Sequence, residues 1–398
     1  MALKNFLDAS LNNKRVILRV DYNVPMTGKK ITDDNRIKES LPTIRELLKH
    51  NCRIIIISHL GRPEGKKDPA FSLRPVAKRL KKLLKRKVTF LPDCQGTETV
   101  QAIGRMKPND LVMLENLRFY PEEENNGLNF AKKLSQLGDI YIDDAFGCAH
   151  RAHASITAIT EFLPSYAGLL LQKEYLHLTN DLKQLRYPVT MIIGGAKIDT
   201  KIDLIKSFAG RVDHFIFGGG IANTFLAAKK FRLADSLVQK DKTETCIDLE
   251  QAIRRKNKNI HLPSDFIIAS KAGNFVRTKK ITDTVIPNGK KILDIGPKSA
   301  RKMAAIISKS KTIIWNGPMG VCEKRPFRAG TKIVARAIIS ATKKGATSVL
   351  GGGDTVDALK ILKIKHINFT HVSTGGGAML EFLEKGTLPG LEVLEQKA

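Results

Sequence analysis

The sequence predicts an α/β protein built on parallel sheets, and three observations carry that prediction. Short aliphatic runs recur along the whole chain, and helix-compatible segments separate many of them. Hydrophobic residues make up 42% of the chain but aromatic residues only 6%, so aliphatic packing dominates the cores. Strands buried on both faces of a parallel sheet read as continuous Val/Ile/Leu runs. Strand–helix alternation on this scale implies βαβ units.

In chain order the strand-like runs are Val16–Val20, Ile54–Ile57, Leu111–Leu114, Ile140–Ile142 and Val189–Ile193. His214–Phe217, Phe266–Ile268, Thr312–Trp315 and Ser348–Leu350 continue the series. Gly, Asp, Asn or His bounds each run. Helical patterns fill intervals such as Arg74 to Leu84 and Ile198 to Ala209. So many strands exceed one sheet, and 398 residues suit more than one domain. The division falls at the apolar-periodic segment from Leu169 to Leu176, which ends before Tyr187-Pro188, where proline disfavours helix at the preceding residue. Two domains with a border near 165–186 are expected.

Lys and Arg total 67 against 39 Asp and Glu, a formal charge of +28. That balance attracts nucleic acid, anionic membrane and phosphorylated metabolites alike, without choosing among them. The run Lys81-Lys82-Leu83-Leu84-Lys85-Arg86-Lys87 reads as solvated surface. Five cysteines with no C-x-x-C spacing indicate neither a disulfide framework nor a zinc site. The opening MALKNFLDAS lacks an apolar signal core, and no run approaches a bilayer span of about 20 apolar residues. A reduced, cytoplasmic protein that does not engage membranes is expected.

The turns after the strands carry the chemistry. Glycine clusters stand at 194–195, 218–220, 351–353 and 375–377, all in the C-terminal half. Glycine lets backbone N–H groups approach an oxyanion, and a following helix N-terminus adds unsatisfied donors. The alternative is tight βα turns without a ligand; four clusters in one half favour phosphate. The G-x-x-x-x-G-K-[ST] and G-x-G-x-x-G signatures are both absent, as are H-R-D and D-F-G. The N-terminal half instead places cations in its loops: Arg36, His59, Arg62, Arg118, His150, Arg151 and His153. Arginine forks match carboxylate and phosphate oxygens. His150-x-x-His153 can also be read as a metal pair, a reading disfavoured because no third ligand is evident and Arg151 repels a cation.

These blocks, taken in order, resemble the phosphoglycerate kinase family. Arg19-Val20-Asp21-Tyr22-Asn23-Val24-Pro25-Met26, Ser58-His59-Leu60-Gly61-Arg62-Pro63 and Glu115-Asn116-Leu117-Arg118-Phe119 open the set. Asp143-Asp144-Ala145-Phe146-Gly147, Ala149-His150-Arg151-Ala152-His153 and Gly194-Gly195-Ala196-Lys197 follow. Trp315-Asn316-Gly317-Pro318-Met319-Gly320, Gly352-Gly353-Asp354-Thr355 and Ser373-Thr374-Gly375-Gly376-Gly377-Ala378 complete it. The resemblance runs from about residue 4 to 390.

The resemblance implies a reversible, Mg²⁺-dependent phosphoryl transfer between ATP and the carboxylate of 3-phosphoglycerate. It implies a glycolytic enzyme acting as a monomer with domain closure. Asp21, Asn23, Arg36, His59, Arg62, Arg118 and Arg151 match the 3-phosphoglycerate site. Lys197 and Lys201 match the nucleotide-side lysines, with Gly296 on the adenosine side, Glu323 at the ribose, and Asn316 and Pro318 in the same region. Gly352, Gly353, Asp354 and Thr355 match the phosphate segment, with Asp354 as the metal-side group. Arg36, Lys201 and Gly376 are the expected catalytic trio. The resemblance also implies two doubly wound, Rossmann-like domains, 1–168 and 187–380, joined by a hinge helix at 169–186, with the C-terminal segment 381–398, around Leu388–Leu394, returning to the N-terminal domain. Cys148 stands where Thr is usual and Cys322 where Phe is common.

This reading is chemically coherent. A carboxylic acid has a pKa of about 4, so the attacking oxygen is already ionised and no general base is needed. Rival readings are weaker. A specific nucleic-acid binder predicts a recognised module or aromatic interleaving, and neither is present. An NAD-linked dehydrogenase lacks its glycine fingerprint. An inactive scaffold sits poorly with the retention of Arg36, Lys201, Asp354 and the late triple glycine.

Overall fold

The computed structural model describes residues 2–183, 185–270, 276–280 and 285–396. Residues 1, 184, 271–275, 281–284 and 397–398, which fall within the expected domains, lie outside the described residues. Two units are distinguished: residues 1–176 with 385–398, and residues 177–384.

The N-terminal unit contains β1 (Arg15–Val20), a short hairpin of β2 (Met26–Thr27) and β3 (Lys30–Ile31), β4 (Arg53–Ile57), β5 (Thr89–Phe90), β6 (Leu111–Met113), β7 (Ile140–Asp144) and β8 (Ser165–Ala167). Its main sheet has the order β5-β6-β4-β1-β7-β8, and every pairing in it is parallel. Alternation explains the continuous apolar runs. Val16, Leu18, Ile54 and Ile56 enter one core, while Ile17, Ile55 and Ile57 enter the core on the opposite face. Period-two side chains with both faces covered leave few polar positions in the strand. The C-terminal segment belongs to this unit: Lys4 N–H donates to Leu394 O at 2.9 Å, and Gly390 N–H to Ala149 O at 2.9 Å. The helix Leu169–Lys183 begins in this unit and runs past its limit at residue 176.

The second unit contains β9 (Val189–Ile193), β10 (His214–Phe217), β11 (Asn259–His261), β12 (Asp265–Ser270), β13 (Val276–Lys280), β14 (Lys290–Ile295), β15 (Thr312–Asn316), β16 (Thr347–Gly351) and β17 (His371–Val372). The main sheet runs β11-β10-β9-β15-β16-β17, again all parallel. One strand departs from the expected parallel series. The Phe266–Ile268 run lies in a separate antiparallel sheet, β13-β12-β14. Its sequence is indistinguishable from the others because it too is buried on both faces. Phe266 and Ile268 pack with Leu226 and Ile292, and Ile267 and Ala269 pack with Phe327.

In each main sheet the first strand lies centrally, with later strands added on both sides. In doubly wound sheets, ligands bind beyond the carboxyl ends of strands at that reversal. For the N-terminal unit this is the end of β1 between β4 and β7; for the second it is the end of β9 between β10 and β15.

Candidate active site

In the N-terminal unit, polar fasteners join the loops that follow β1, β4 and β6. Ser58 Oγ donates to Val20 O at 2.7 Å and accepts from Tyr22 N–H at 2.9 Å. Asn116 Nδ2 donates to Leu60 O at 2.7 Å, and its Oδ1 accepts from Leu60 and Arg118 N–H. Glu115 accepts from Leu73 N–H at 2.7 Å and from Ser72 Oγ at 2.7 Å. The Glu-Asn half of the Glu115–Phe119 block therefore fixes loop shape, while Arg118 reaches past it to pair with Glu124 at 3.1 Å.

On that frame sits a cationic cluster. Arg36 Nη1 pairs with Asp21 Oδ2 at 2.6 Å and donates to Asn23 O at 3.2 Å. Asn23 N–H donates to Asp21 Oδ1, and Asn23 Oδ1 accepts from Gly61 N–H at 2.9 Å. Arg118 Nη1 donates to Gly61 O at 2.8 Å. Burial, then the charges of Arg19, Arg118, Arg36 and Arg151, push the His59 imidazole well below its ordinary range. Asp21, Asn23, Arg36, His59, Arg118 and Arg151 are thus brought together. Arg62 follows Gly61 and is exposed.

Asp21, His59 and Cys148 each place one ligand-type atom within 4.8 Å of the others. The guanidiniums around them make the spot suited to an anion and hostile to a metal cation. His150 Nε2 accepts from Arg151 Nε at 3.1 Å, and His153 Nδ1 lies 3.9 Å from Glu123. Burial, then Arg118, Arg19 and Arg151, lowers His153 to about 3.

Behind the cluster lies a buried network beyond the expected site residues. Arg19 Nε donates to Ser155 Oγ at 2.9 Å, and Ser155 Oγ donates to Glu123 Oε1 at 2.6 Å. Arg19 Nη2 lies 3.2 Å from His59 Nδ1 and 3.8 Å from Cys148 Sγ. The signal is present in the sequence: a guanidinium inside an otherwise apolar strand is almost never buried without partners. Burial pushes the Cys148 thiol up to about 12, so it serves as a neutral, weakly polar neighbour.

In the second unit the glycine turns stack on one another. Gly194 N–H donates to Asn316 O at 2.8 Å, Gly195 N–H to Pro318 O at 2.9 Å, and Gly220 N–H to Gly195 O at 2.8 Å. A Cβ at Gly194 would lie 2.1 Å from Pro318 O, and one at Gly376 would lie 2.3 Å from Gly352 Cα. These glycines are first of all a packing requirement between adjacent loops. Gly353 differs: it is exposed, nothing lies within 4 Å of where its Cβ would be, and it opens the helix Gly353–Ile361. That N-terminus is open to an anion, as helix N-termini are suited to be.

Asn316 and Thr355 are fasteners. Asn316 Nδ2 donates to Gly351 O at 2.7 Å. Thr355 Oγ1 accepts from Gly317 N–H at 2.7 Å and donates to Gly351 O at 2.8 Å. Gly296 is buried against the Asp265 carboxylate. Lys197 is exposed. Burial lowers Lys201 to about 8, with Asp354 opposing that shift.

A cavity of about 420 Å³ in this unit is lined by Gly195, Gly219, Gly220, Pro318, Glu323 and Asp354 among others. Leu237, Phe266, Leu293 and Val321 supply apolar wall. Such a slot, apolar along its length with carboxylate and glycine groups at its rim, has the shape and chemistry for a planar base on a phosphorylated sugar. Asp294 also lines it, buried and raised to about 7. These wall residues carry no motif, since they come from separate segments.

The family model described as phosphoglycerate kinase matches residues 6–386. A phosphoglycerate kinase of Moorella thermoacetica is 44% identical over 397 residues, covering 100% of both chains. A wheat (Triticum aestivum) relative named phosphoglycerate kinase, cytosolic, is 43% identical over 391 residues, with 98% of this chain and 97% of its own covered. The solved phosphoglycerate kinase of Coxiella burnetii aligns with a TM-score of 0.84 at 36% identity, covering 98% of each chain.

Proposed function

The chain belongs to the phosphoglycerate kinase family and transfers a phosphoryl group between ATP and the carboxylate of 3-phosphoglycerate; from that premise we propose a division of labour between its two units. The arginine–histidine cluster of the N-terminal unit binds the phosphoglycerate. The glycine turns, Lys201 and the 420 Å³ cavity of the second unit bind the nucleotide. The observation that supports this reading is the segregation itself. Fixed cations gather at the carboxyl end of one parallel sheet, and backbone N–H turns beside an apolar slot gather at the other.

Phosphoryl transfer asks mainly for alignment and for neutralising charge. Arg36, oriented by Asp21, faces the acid and stabilises charge on the transferring group. His59 and Arg118 orient the substrate, and Arg62 and Arg151 add positive field. Lys201 and the N–H groups at Gly353, Gly376 and Gly377 cradle the nucleotide phosphates. Asp354 is an exposed carboxylate in the first turn of Gly353–Ile361, with Oδ2 4.0 Å from where a Gly195 Cβ would be. An exposed hard oxygen ligand beside a phosphate-type turn fits Mg²⁺. When bound, that ion neutralises polyphosphate charge. No residue need remove a proton, because the acceptor carboxylate is already ionised.

The two ligand sets belong to different units, while reacting atoms must approach within about 3–3.5 Å. A hinge-type closure is therefore part of the proposed cycle, with Leu169–Lys183 the connecting element. The wheat relative's name supports a cytosolic setting, and both ligand sets come from one chain, which supports a monomeric enzyme. Among the described residues no helix is long and apolar enough to cross a membrane. The test is a matched pair of variants. Arg118→Ala should raise KM for 3-phosphoglycerate with little change for MgATP, and Asp354→Ala should do the reverse. Equal effects of either variant on both substrates would reject the division.

A further inference from the structure

A hollow of about 790 Å³ lies in the N-terminal unit, and it is lined by residues outside the acid-binding cluster. Among the described residues six cations line it: Lys29 and Lys30 from the β2–β3 hairpin, and Arg74, Lys78, Arg79 and Lys82 from the helix Arg74–Leu84. Among the described residues one carboxylate lines it, Asp34, and that group is already taken. It accepts from Arg79 Nε at 2.8 Å and pairs with Lys38 at 2.8 Å. The hollow therefore presents a strong excess of positive charge in a concave wall, which focuses field more than a flat surface does.

Its arrangement is also linear. Arg74, Lys78 and Lys82 stand four residues apart, so they form one stripe along the helix with a rise of about 6 Å per step and about 12 Å in all. The opposite face of that helix holds Val76, Ala77 and Leu80 in the core, which fixes the stripe outward. Two of the guanidiniums are held in place. Arg74 lies over the Phe90 ring at 4.7 Å, and Arg79 is clamped by Asp34. Among the described residues no aromatic side chain lines the hollow, so they offer no stacking platform of the kind by which single-stranded nucleic acid is held.

We propose that this hollow is a second anion site, distinct from the substrate cluster, that takes a condensed inorganic phosphate chain several phosphates long. The hairpin lysines close one side of the chain, and the Arg74–Lys78–Lys82 stripe pairs with charges at intervals along the other.

The test titrates end-labelled inorganic polyphosphate against the intact chain by fluorescence anisotropy at about 0.15 M salt. Saturable binding is expected. Lys78→Glu/Lys82→Glu should weaken it by at least about tenfold and flatten the slope of log K against log salt by roughly two. Its turnover should stay at the wild-type level, reporting an intact fold. Lys132→Glu/Lys133→Glu, an equal charge change on exposed residues elsewhere in the unit, should leave the affinity within about twofold. Equal loss in both variants means that only the diffuse field of +28 is at work, and overturns the site. So does absence of binding by the wild type. Displacement by saturating ATP places the chain in the nucleotide site instead, and tighter groove-dependent binding of charge-matched single-stranded RNA overturns the ligand class.

Discussion

Arg19 Nη2 lies 3.2 Å from His59 Nδ1, and both side chains are buried. A guanidinium carries only donors, so Nδ1 must accept, and the proton of the neutral ring sits on Nε2. In the proposed site His59 therefore offers the phosphoglycerate a fixed N–H donor. Nitrogen NMR should find the Nε2–H tautomer with no titration between about pH 5 and 8. A midpoint near the ordinary value of about 6.5 would refute the arrangement. The sign of the linkage follows from the lowered folded pKa. The ring's contribution to stability is complete above about pH 6.5 and declines as pH falls from there toward the folded value.

Arg36 sits 2.6 Å from Asp21 and is only partly exposed. Arg36→Ala should lower kcat by about 10²–10³, the usual cost of removing one preorganised charge-stabilising group. Thermal stability should move little, because a partly exposed ion pair contributes on the order of 0–1 kcal/mol. Steady-state kinetics beside thermal melting separates the two effects. Near-normal turnover in a folded variant would sink the assignment.

Burial brings Lys201 down to about 8. The free enzyme thus loses this cation as pH rises past that value. Since kcat/KM reports ionisations of the free enzyme, kcat/KM for MgATP should fall on the alkaline side with a midpoint near 8. Lys201→Arg, which stays charged, should remove that limb even if its maximum is lower. A limb unchanged in the arginine variant assigns the ionisation elsewhere.

How far the sequence discloses this protein depends on distance along the chain. The long strands are legible, since both faces of Val16–Val20 and Ile54–Ile57 are buried and leave long apolar runs. Strands of two or three residues, such as Thr89–Phe90 and His371–Val372, are too short to show a period. Phe266–Ile268 shows strand but not direction, because an antiparallel strand covered on both faces carries the same pattern. Site residues in contiguous motifs are legible as candidates. The motif does not separate roles, however: Arg118 faces the cluster while Glu115 and Asn116 tie loops together. The slot wall of Leu237, Phe266, Leu293 and Val321 is illegible, since only folding assembles it.

At Gly376 a side chain has nowhere to go, because the obstructing atom is the Gly352 backbone at 2.3 Å. Gly376→Ala must push the turn that opens the helix Gly353–Ile361, and with it Asp354. The expected result is a fall in kcat of about 10²–10³ with a raised KM for MgATP and an unchanged KM for 3-phosphoglycerate. Gly353→Ala has open space at the same ridge and should keep the fold while weakening nucleotide binding only. Wild-type kinetics in Gly376→Ala would show that the turn yields without consequence.

Asp143 is wholly buried at the end of β7, with Oδ1 accepting from Ala145 N–H at 2.9 Å and Oδ2 without a partner. Burial pushes its carboxyl up to about 7. The native state therefore holds a proton that the unfolded chain releases at about pH 4. Asp143's contribution to stability should be greatest below that pH. It should fall as pH rises toward 7, where the unfolded chain is ionised and the native carboxyl is not, and level off above it. Asp143→Asn keeps an acceptor for Ala145 and carries no charge at any pH. The stability of this variant relative to wild type should therefore rise with pH, by on the order of 1–2 kcal/mol between about pH 5.5 and 8.5. Chemical denaturation of both proteins across that range measures the difference. A difference that stays flat would mean that Asp143 is already ionised in the native state, with Arg19 as its counter-charge, and a difference that falls would mean that the charge stabilises the fold.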